Sequence, residues 1–346
     1  MTSQNERSVM TIHIGIIGAG RIGKVHAENL ATRVANARVL AIADPAAAEA
    51  QQTASRLGIP FALTDYQEIL DNPDIQAVVI CSSTDTHARL ITEAARAGKH
   101  IFCEKPIAFD LRAIDGALEA VAQAGVKLQI GFNRRFDPNY ARVRQAVMAG
   151  EIGEPHLLHI ISRDPAPPPP AYVSVSGGMF LDMTIHDFDM ARFLIGSEVT
   201  EVYTMAANRI DPAIGAAGDV DTAVVMLRFA NGVIGTIDNS RRAVYGYDQR
   251  VEILGSRGAI QTQNQYPNAA IISTGDSIRR DLPLHFFIER YADSFITEMK
   301  AFVTAVVQDQ PTPVTGQDGR APVVMALAAR RSFDQNRPVR LGEFGA

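Results

Sequence analysis

The chain of 346 residues carries 33 Lys+Arg against 38 Asp+Glu, a formal net charge of −5, with 47% hydrophobic residues and two cysteines. These are the proportions of an ordinary globular protein of about two domains, each long enough to bury a core without disulfides or metals. They exclude a small stapled scaffold, and the acidic balance without a Lys/Arg run argues against nucleic acid, whose phosphates need a basic footprint. Cys81 and Cys103 are too few for a secreted disulfide framework and form no C-x-x-C, so a reducing compartment, the cytoplasm, is expected.

Residues 1–10 are polar and lack an apolar signal region, which makes them a disordered leader, with Met10 a second candidate start. Nothing later reaches about 18 uninterrupted apolar residues, so no membrane span is expected. From 11 to 131 short β-branched runs (12–17, 39–43, 77–80, 100–103, 127–131) alternate with alanine-rich helical stretches (22–32, 46–57, 86–97, 111–124). Gly58, Gly98 and Gly125 stand as C-caps of three of them. That alternation is the pattern of an α/β, doubly wound parallel sheet.

After Gly131 the pattern changes to strands joined by turns such as Asn231-Gly232 and Gly255-Ser256-Arg257-Gly258, which predicts a second α/β domain over 132–346 with an antiparallel or mixed sheet. Two helices, 286–307 and 321–334, close the chain. Between them and the boundary, the run from Arg163 to Pro170 contains five prolines and must be a stiff loop. The strand 222–229, with Ala223, Val224, Val225, Met226 and Leu227 in a row, is apolar on both sides, so both sheet faces should be covered. With few helices available, a second subunit is expected on one face, giving a homo-oligomer. His156 and His159, three apart on a strand, point to opposite faces and are not a metal pair.

The strongest motif is Gly18-Ala19-Gly20-Arg21-Ile22-Gly23, between the first strand and the first helix. In that context the glycines allow a tight turn and close backbone approach, and the N–H groups of the helix start receive a pyrophosphate. Asp44, about 20 residues on at the end of the second strand, fits the carboxylate that holds the adenosine ribose and repels a 2′-phosphate. NAD is therefore preferred over NADP, with Arg21 and Arg38 as nearby cations; the same fingerprint also serves flavin dinucleotides, and Asp44 before Pro45 could also cap the next helix. The loop Cys81-Ser82-Ser83-Thr84-Asp85-Thr86-His87 lies at the same carboxyl edge, where open sheets bind ligands, so Ser82, Ser83, Thr84 and His87 are cofactor candidates. A helix cap at Thr84 or Thr86 is the competing reading.

Two features carry the chemistry. Glu104-Lys105-Pro106 follows the strand 100–103 and puts a lysine at the cofactor edge, with Glu104 beside it. Asp182 and His186, four apart, share one face if helical. Oxidising an alcohol requires a group to take the hydroxyl proton, and histidine titrates closest to neutrality. Spacing alone also allows a metal site of Asp182, His186 and Asp189.

Taken together, the chain from Ile12 onward resembles the Gfo/Idh/MocA oxidoreductases, most closely the inositol 2-dehydrogenase branch. The resemblance rests on Gly18 to Gly23, Glu104-Lys105-Pro106, Gly131-Phe132-Asn133-Arg134-Arg135-Phe136-Asp137, Asp182 to His186, Tyr245-Gly246-Tyr247-Asp248 and Glu289-Arg290-Tyr291. It implies a Rossmann domain (11–131), a second domain with a large open sheet, tetramer formation through that sheet, NAD as cofactor and no metal. By position, Lys105, Asp182 and His186 match the catalytic set: His186 takes the proton, Asp182 holds a neighbouring hydroxyl and Lys105 stabilises the developing alkoxide. Arg134, Asp164, Tyr245 or Tyr247, and Tyr291 would line a polyol pocket. The proline-rich loop beginning at Asp164 is shared by only part of the branch, which leaves myo-inositol, scyllo-inositol and aldoses as substrates.

Overall fold

The structure, a computed structural model, describes residues 11–345; the leader expected for residues 1–10 lies outside them. Strands buried on both faces read as unbroken apolar runs, and this produces β1 (Ile12–Ile17), β2 (Ala37–Ala43), β3 (Phe61–Leu63), β4 (Ala77–Ile80), β5 (His100–Glu104) and β6 (Leu128–Gly131). They pair in parallel in the order β3-β2-β1-β4-β5-β6, the doubly wound order of dinucleotide-binding domains. The connecting helices are α1 (Arg21–Thr32), α2 (Ala47–Leu57), α3 (Gln67–Asp71), α4 (Thr84–Arg96) and α5 (Leu111–Ala124). Gly58 and Gly125 end α2 and α5 in the left-handed conformation, and Gly98 has φ +70 just beyond α4.

This first unit runs to Phe132 and then takes back Phe295–Arg320, a segment that the domain reading of 132–346 assigned elsewhere. The reason is packing: Met299, Phe302, Val303 and Val306 are buried in one cluster with Ile12, Ile14, Val79 and Phe102. The returning chain also borders β6, where the Ile130 N–H donates to the Val314 carbonyl and the Thr312 hydroxyl to the Leu128 carbonyl.

The second unit comprises Asn133–Ser294 and the chain from Ala321. After α6 (Pro138–Met148), capped by the Asp137 carboxylate, it is built on β7 (Pro155–Arg163), β8 (Val199–Ala207), β9 (Thr222–Phe229), β10 (Ile234–Ser240), β11 (Asp248–Gly255) and β12 (Gly258–Gln261). These form a seven-stranded sheet with Val339–Arg340 at its edge, antiparallel except for the β7–β10 pair. The expected turns at Asn231-Gly232 and Gly255 to Gly258 join β9 to β10 and β11 to β12. The proline-rich segment leads from β7 into the short helix α7 (Pro170–Val173), and α8 (Ile185–Ile195) packs against β7.

Three expectations are corrected here. The β9 strand alternates: Ala223, Val225, Leu227 and Phe229 are buried while Val224 and Met226 are 46% and 48% exposed. Among the described residues only one sheet face is covered, and Leu157, Met205, Ile234 and Leu254 stand exposed beside them in register. The helix expected over 286–307 divides at Tyr291 into Phe287–Arg290 and Ala292–Val307. The last helix begins at Gly316, not Ala321, because Thr315 and Asp318 cap each other reciprocally there, and it is followed by the edge strand Val339–Arg340.

Candidate active site

The turn from β1 to α1 shows a separate task for each glycine. Gly18 has φ +104, and a Cβ on it would lie 2.6 Å from the Cys81 carbonyl; one on Gly23 would lie 2.0 Å from the Gly18 carbonyl oxygen. Nothing lies within 4 Å of where a Gly20 Cβ would be, and no side chain caps α1. The first-turn N–H groups of a helix have no acceptor within it, and a positive helix end without a side-chain cap suits a pyrophosphate. Asp44 accepts from Ala19 N at 2.7 Å and from Ala46 N at 2.8 Å. It thus fastens the glycine turn and caps the next segment, and a carboxylate with about four acceptor sites retains capacity for ribose hydroxyls. Arg21 and Arg38 are both exposed.

The loop after β4 is partly spent on itself. Ser82 and Thr86 share a 2.6 Å hydroxyl contact, and Ser83 is the N-cap residue of α4, which starts at Thr84. His87, a cofactor candidate by position, is buried, with Nδ1 2.8 Å from the Pro106 carbonyl and Nε2 3.1 Å from the Ser82 carbonyl. Burial holds its pKa down. Both ring nitrogens face backbone, so this residue braces the loop and leaves the cofactor set; Ser83 and Thr84 remain accessible.

Glu104 also faces inward. Its carboxylate meets His26 Nε2 at 2.7 Å, beneath the half-buried Lys105 that follows it in sequence. Glu298, wholly buried, places Oε1 4.0 Å from the same His26 nitrogen, and burial first and the Glu104 charge second push its carboxyl well above the usual range. The three side chains lie within 4.8 Å of one another, but a protonated Glu298 is a weak donor to a cation. Cys81 and Cys103 are free thiols, both pushed well up by burial.

In the second unit Asp182 lies in a π-helical turn, Met179–Met183, and His186 in the first turn of α8, so the pair does not sit on the single α-helix expected from its spacing. Such turns concentrate at functional positions. Asp219 creates this one: its carboxylate accepts from Met179 N, and it fills the space where a Cβ on Gly178, at φ +78, would sit. Asp182 and His186 are both half-buried, while the neighbouring Asp187 is fully buried. Asp187 accepts from Arg134 Nη1 at 2.6 Å and from Asn239 Nδ2 at 2.8 Å. Arg134 continues to the Tyr247 hydroxyl at 3.4 Å and lies 5.6 Å from the centre of the Tyr291 ring. Asp164 belongs to the same cluster: burial raises its pKa to about 6, opposed by Arg241 and reinforced by Asp182.

The two candidate tyrosines separate cleanly. Tyr247 is buried beside Arg134, whereas Tyr245 donates to Asp248 and accepts from Arg163 in a surface network with Asp238, away from this cluster. The alternative metal set fails as a triad because Asp189 takes three hydrogen bonds from Arg135. Sequence reasoning missed Arg241, only 2% exposed, whose Nη1 is 3.3 Å from Asp182, and Tyr172, whose hydroxyl donates to the other Asp182 oxygen at 3.0 Å. It also missed Asp187 and Asn239, although Asp187 directly follows His186.

Comparison with known proteins bears on this arrangement. Residues 12–132 match an oxidoreductase family with an NAD-binding Rossmann fold, and residues 140–261 match the GFO/IDH/MocA C-terminal domain. The chain is 47% identical to a myo-inositol 2-dehydrogenase of Thermotoga maritima over 96% of its length and 99% of the relative's. It is 48% identical to an inositol 2-dehydrogenase of Rhizobium meliloti over 96% of its length and all of the relative's. Among solved structures, scyllo-inositol dehydrogenase from Lactobacillus casei with bound NAD(H) and scyllo-inositol superposes with a TM-score of 0.89 at 34% identity, covering 96% of this chain and 99% of that one.

Proposed function

The chain belongs to the GFO/IDH/MocA oxidoreductases, and on that premise we infer that it is an NAD-dependent dehydrogenase of the inositol 2-dehydrogenase type, oxidising a ring hydroxyl of a cyclitol to the ketone. When bound, NAD supplies the hydride acceptor at nicotinamide C4. Gly18 to Gly23 offer backbone N–H groups to its pyrophosphate and Asp44 offers acceptors to its ribose, which favours NAD over a 2′-phosphorylated form.

His186 takes the proton from the reacting hydroxyl, Asp182 holds the neighbouring hydroxyl, and Lys105 places a positive charge on the oxygen as the carbonyl forms. The observation that carries this reading is the half-buried Asp182 on its π-turn, followed four residues on by the half-buried His186 in α8, in a unit that also gathers Asp164, Asp187, Arg134, Arg241 and Tyr247. A polyol needs such a density of partners, since each buried hydroxyl left unpaired costs about 1 to 3 kcal/mol. Tyr245 is dropped from the pocket.

We place the enzyme in the cytoplasm, because two free thiols suit a reducing compartment; among the described residues no helix is long and apolar enough to cross a membrane. We further propose a homotetramer assembled through the exposed apolar sheet face. The test of the reaction is NADH formation screened across inositol isomers and aldoses. Appearance of NADH with a cyclitol is expected; substrate turnover without net NADH would indicate a redox-neutral use of the cofactor instead. Lys105→Ala and His186→Ala should each lower turnover by about 10² to 10⁴ with NAD binding retained, and wild-type turnover in both would defeat the site assignment.

A further inference from the structure

The proline-rich segment and the buried Arg241 meet at one carboxylate. Asp182 is held at both oxygens: the Tyr172 hydroxyl donates to Oδ1 at 3.0 Å, and Arg241 Nη1 donates to Oδ2 at 3.3 Å. Arg241 is 2% exposed, and its Nη2 reaches Asp219 at 3.8 Å, the residue that fastens the start of the π-turn through Met179 N. One guanidinium therefore ties the aspartate to the element that carries it. Tyr172 takes the other oxygen. It sits in α7, whose backbone is fixed by the Tyr172 and Val173 N–H groups on the Pro169 carbonyl, while Asp164 at the other end of the segment is pinned through its N–H to Ser240 and its carbonyl to the Ala243 N–H.

We propose that Tyr172 and Arg241 are positioning residues that fix the rotation of the Asp182 carboxylate for a substrate hydroxyl, and that the proline-rich segment serves to deliver the Tyr172 phenol. The Asp side chain turns in a broad, shallow χ2 well, so an aspartate that must meet one hydroxyl of a ring with many is improved by a clamp at each oxygen. The segment is stiff by composition, with prolines at 165, 167, 168, 169 and 170, and it presents a tyrosine that is 47% exposed as a residue and so carries little of the core. The inference rests on the reading that Asp182 binds substrate.

Tyr172→Phe, a surface change, is expected to raise KM for the cyclitol about tenfold, with kcat changed less and NAD affinity unchanged. Arg241→Lys keeps the charge but cannot span Asp182 and Asp219 together, and should give a larger loss in the same direction. The decisive measurement is the double-mutant cycle: with Asp182→Ala there is nothing left to orient, so Tyr172→Phe should have no further effect. Where that variant turns over too slowly, cyclitol binding to the NADH complex by fluorescence titration reads the same cycle. Wild-type constants for Tyr172→Phe, or independent effects in the cycle, overturn the positioning role while leaving Asp182 in place. A wild-type Asp182→Ala would sink the reading on which it rests.

Discussion

Glu298 permits a prediction whose sign and size both follow from its surroundings. It lies on the helix Ala292–Val307 with its side chain at 0% exposure, and among the described residues neither carboxylate oxygen has a hydrogen-bond partner. Burial and the Glu104 charge raise its pKa well above the ordinary value. The folded protein therefore holds a proton that the unfolded chain releases in the ordinary carboxylate range. Its contribution is least unfavourable in acid and worsens as pH rises, by about 1.4 kcal/mol per pH unit for one proton taken up on folding. Glu298→Gln keeps the shape and cannot ionise, so the variant should gain on the wild type by that slope from about pH 5 upward, until the folded carboxyl itself ionises. Denaturant midpoints followed by circular dichroism across this range give the difference. Glu298→Ala, which leaves a cavity, should instead lose stability at every pH. Parallel curves for Glu298→Gln and the wild type would refute the argument.

The other predictions concern the cofactor turn, the pocket and the sheet. Gly20→Ala should weaken NAD with thermal stability unchanged, since its Cβ meets no protein atom, whereas Gly23→Ala, with a Cβ 2.0 Å from the Gly18 carbonyl oxygen, should lower stability of the cofactor-free protein as well; equal effects of the two on unfolding would contradict the division of tasks. Burial raises the Asp164 pKa to about 6, so in the proposed pocket it would meet substrate hydroxyls as a full carboxylate only above that value. The pH profile of kcat/KM for the cyclitol should carry an acid limb near there that disappears in Asp164→Asn, and a limb that persists in the variant belongs to another group. Met226→Lys places a charge on a residue already 48% exposed within the chain. It should spare the fold but reduce the sedimentation mass below a tetramer, and an unchanged mass would remove this sheet face from the assembly.

What the sequence reveals here depends on how locally each feature is determined. Five of the six parallel strands and the four longer helices of the first unit need only apolar runs, glycine caps and one fingerprint, all local, and those parts were legible to within a few residues. The three-residue β3 and the five-residue α3 are shorter than any period that could announce them. The return of Phe295–Arg320 to the first unit was hidden because an amphipathic helix does not say which core it fills. At the site, residue types were readable but directions were not. His87 and Glu104 occupy ligand-edge positions in sequence, yet their side chains turn inward to backbone and to His26. Tyr245 and Tyr247 have the same parity and would share a sheet face, but Gly246 at φ +126 breaks the alternation and sends them to different surroundings. Asp182 shows the same limit from the other side. Its place four residues before His186 was visible, but its orientation is set by Arg241, 59 positions away in sequence, and by a tyrosine whose own placement depends on a run of prolines. A motif can name the reacting groups, but their geometry comes from residues that no spacing rule connects to them.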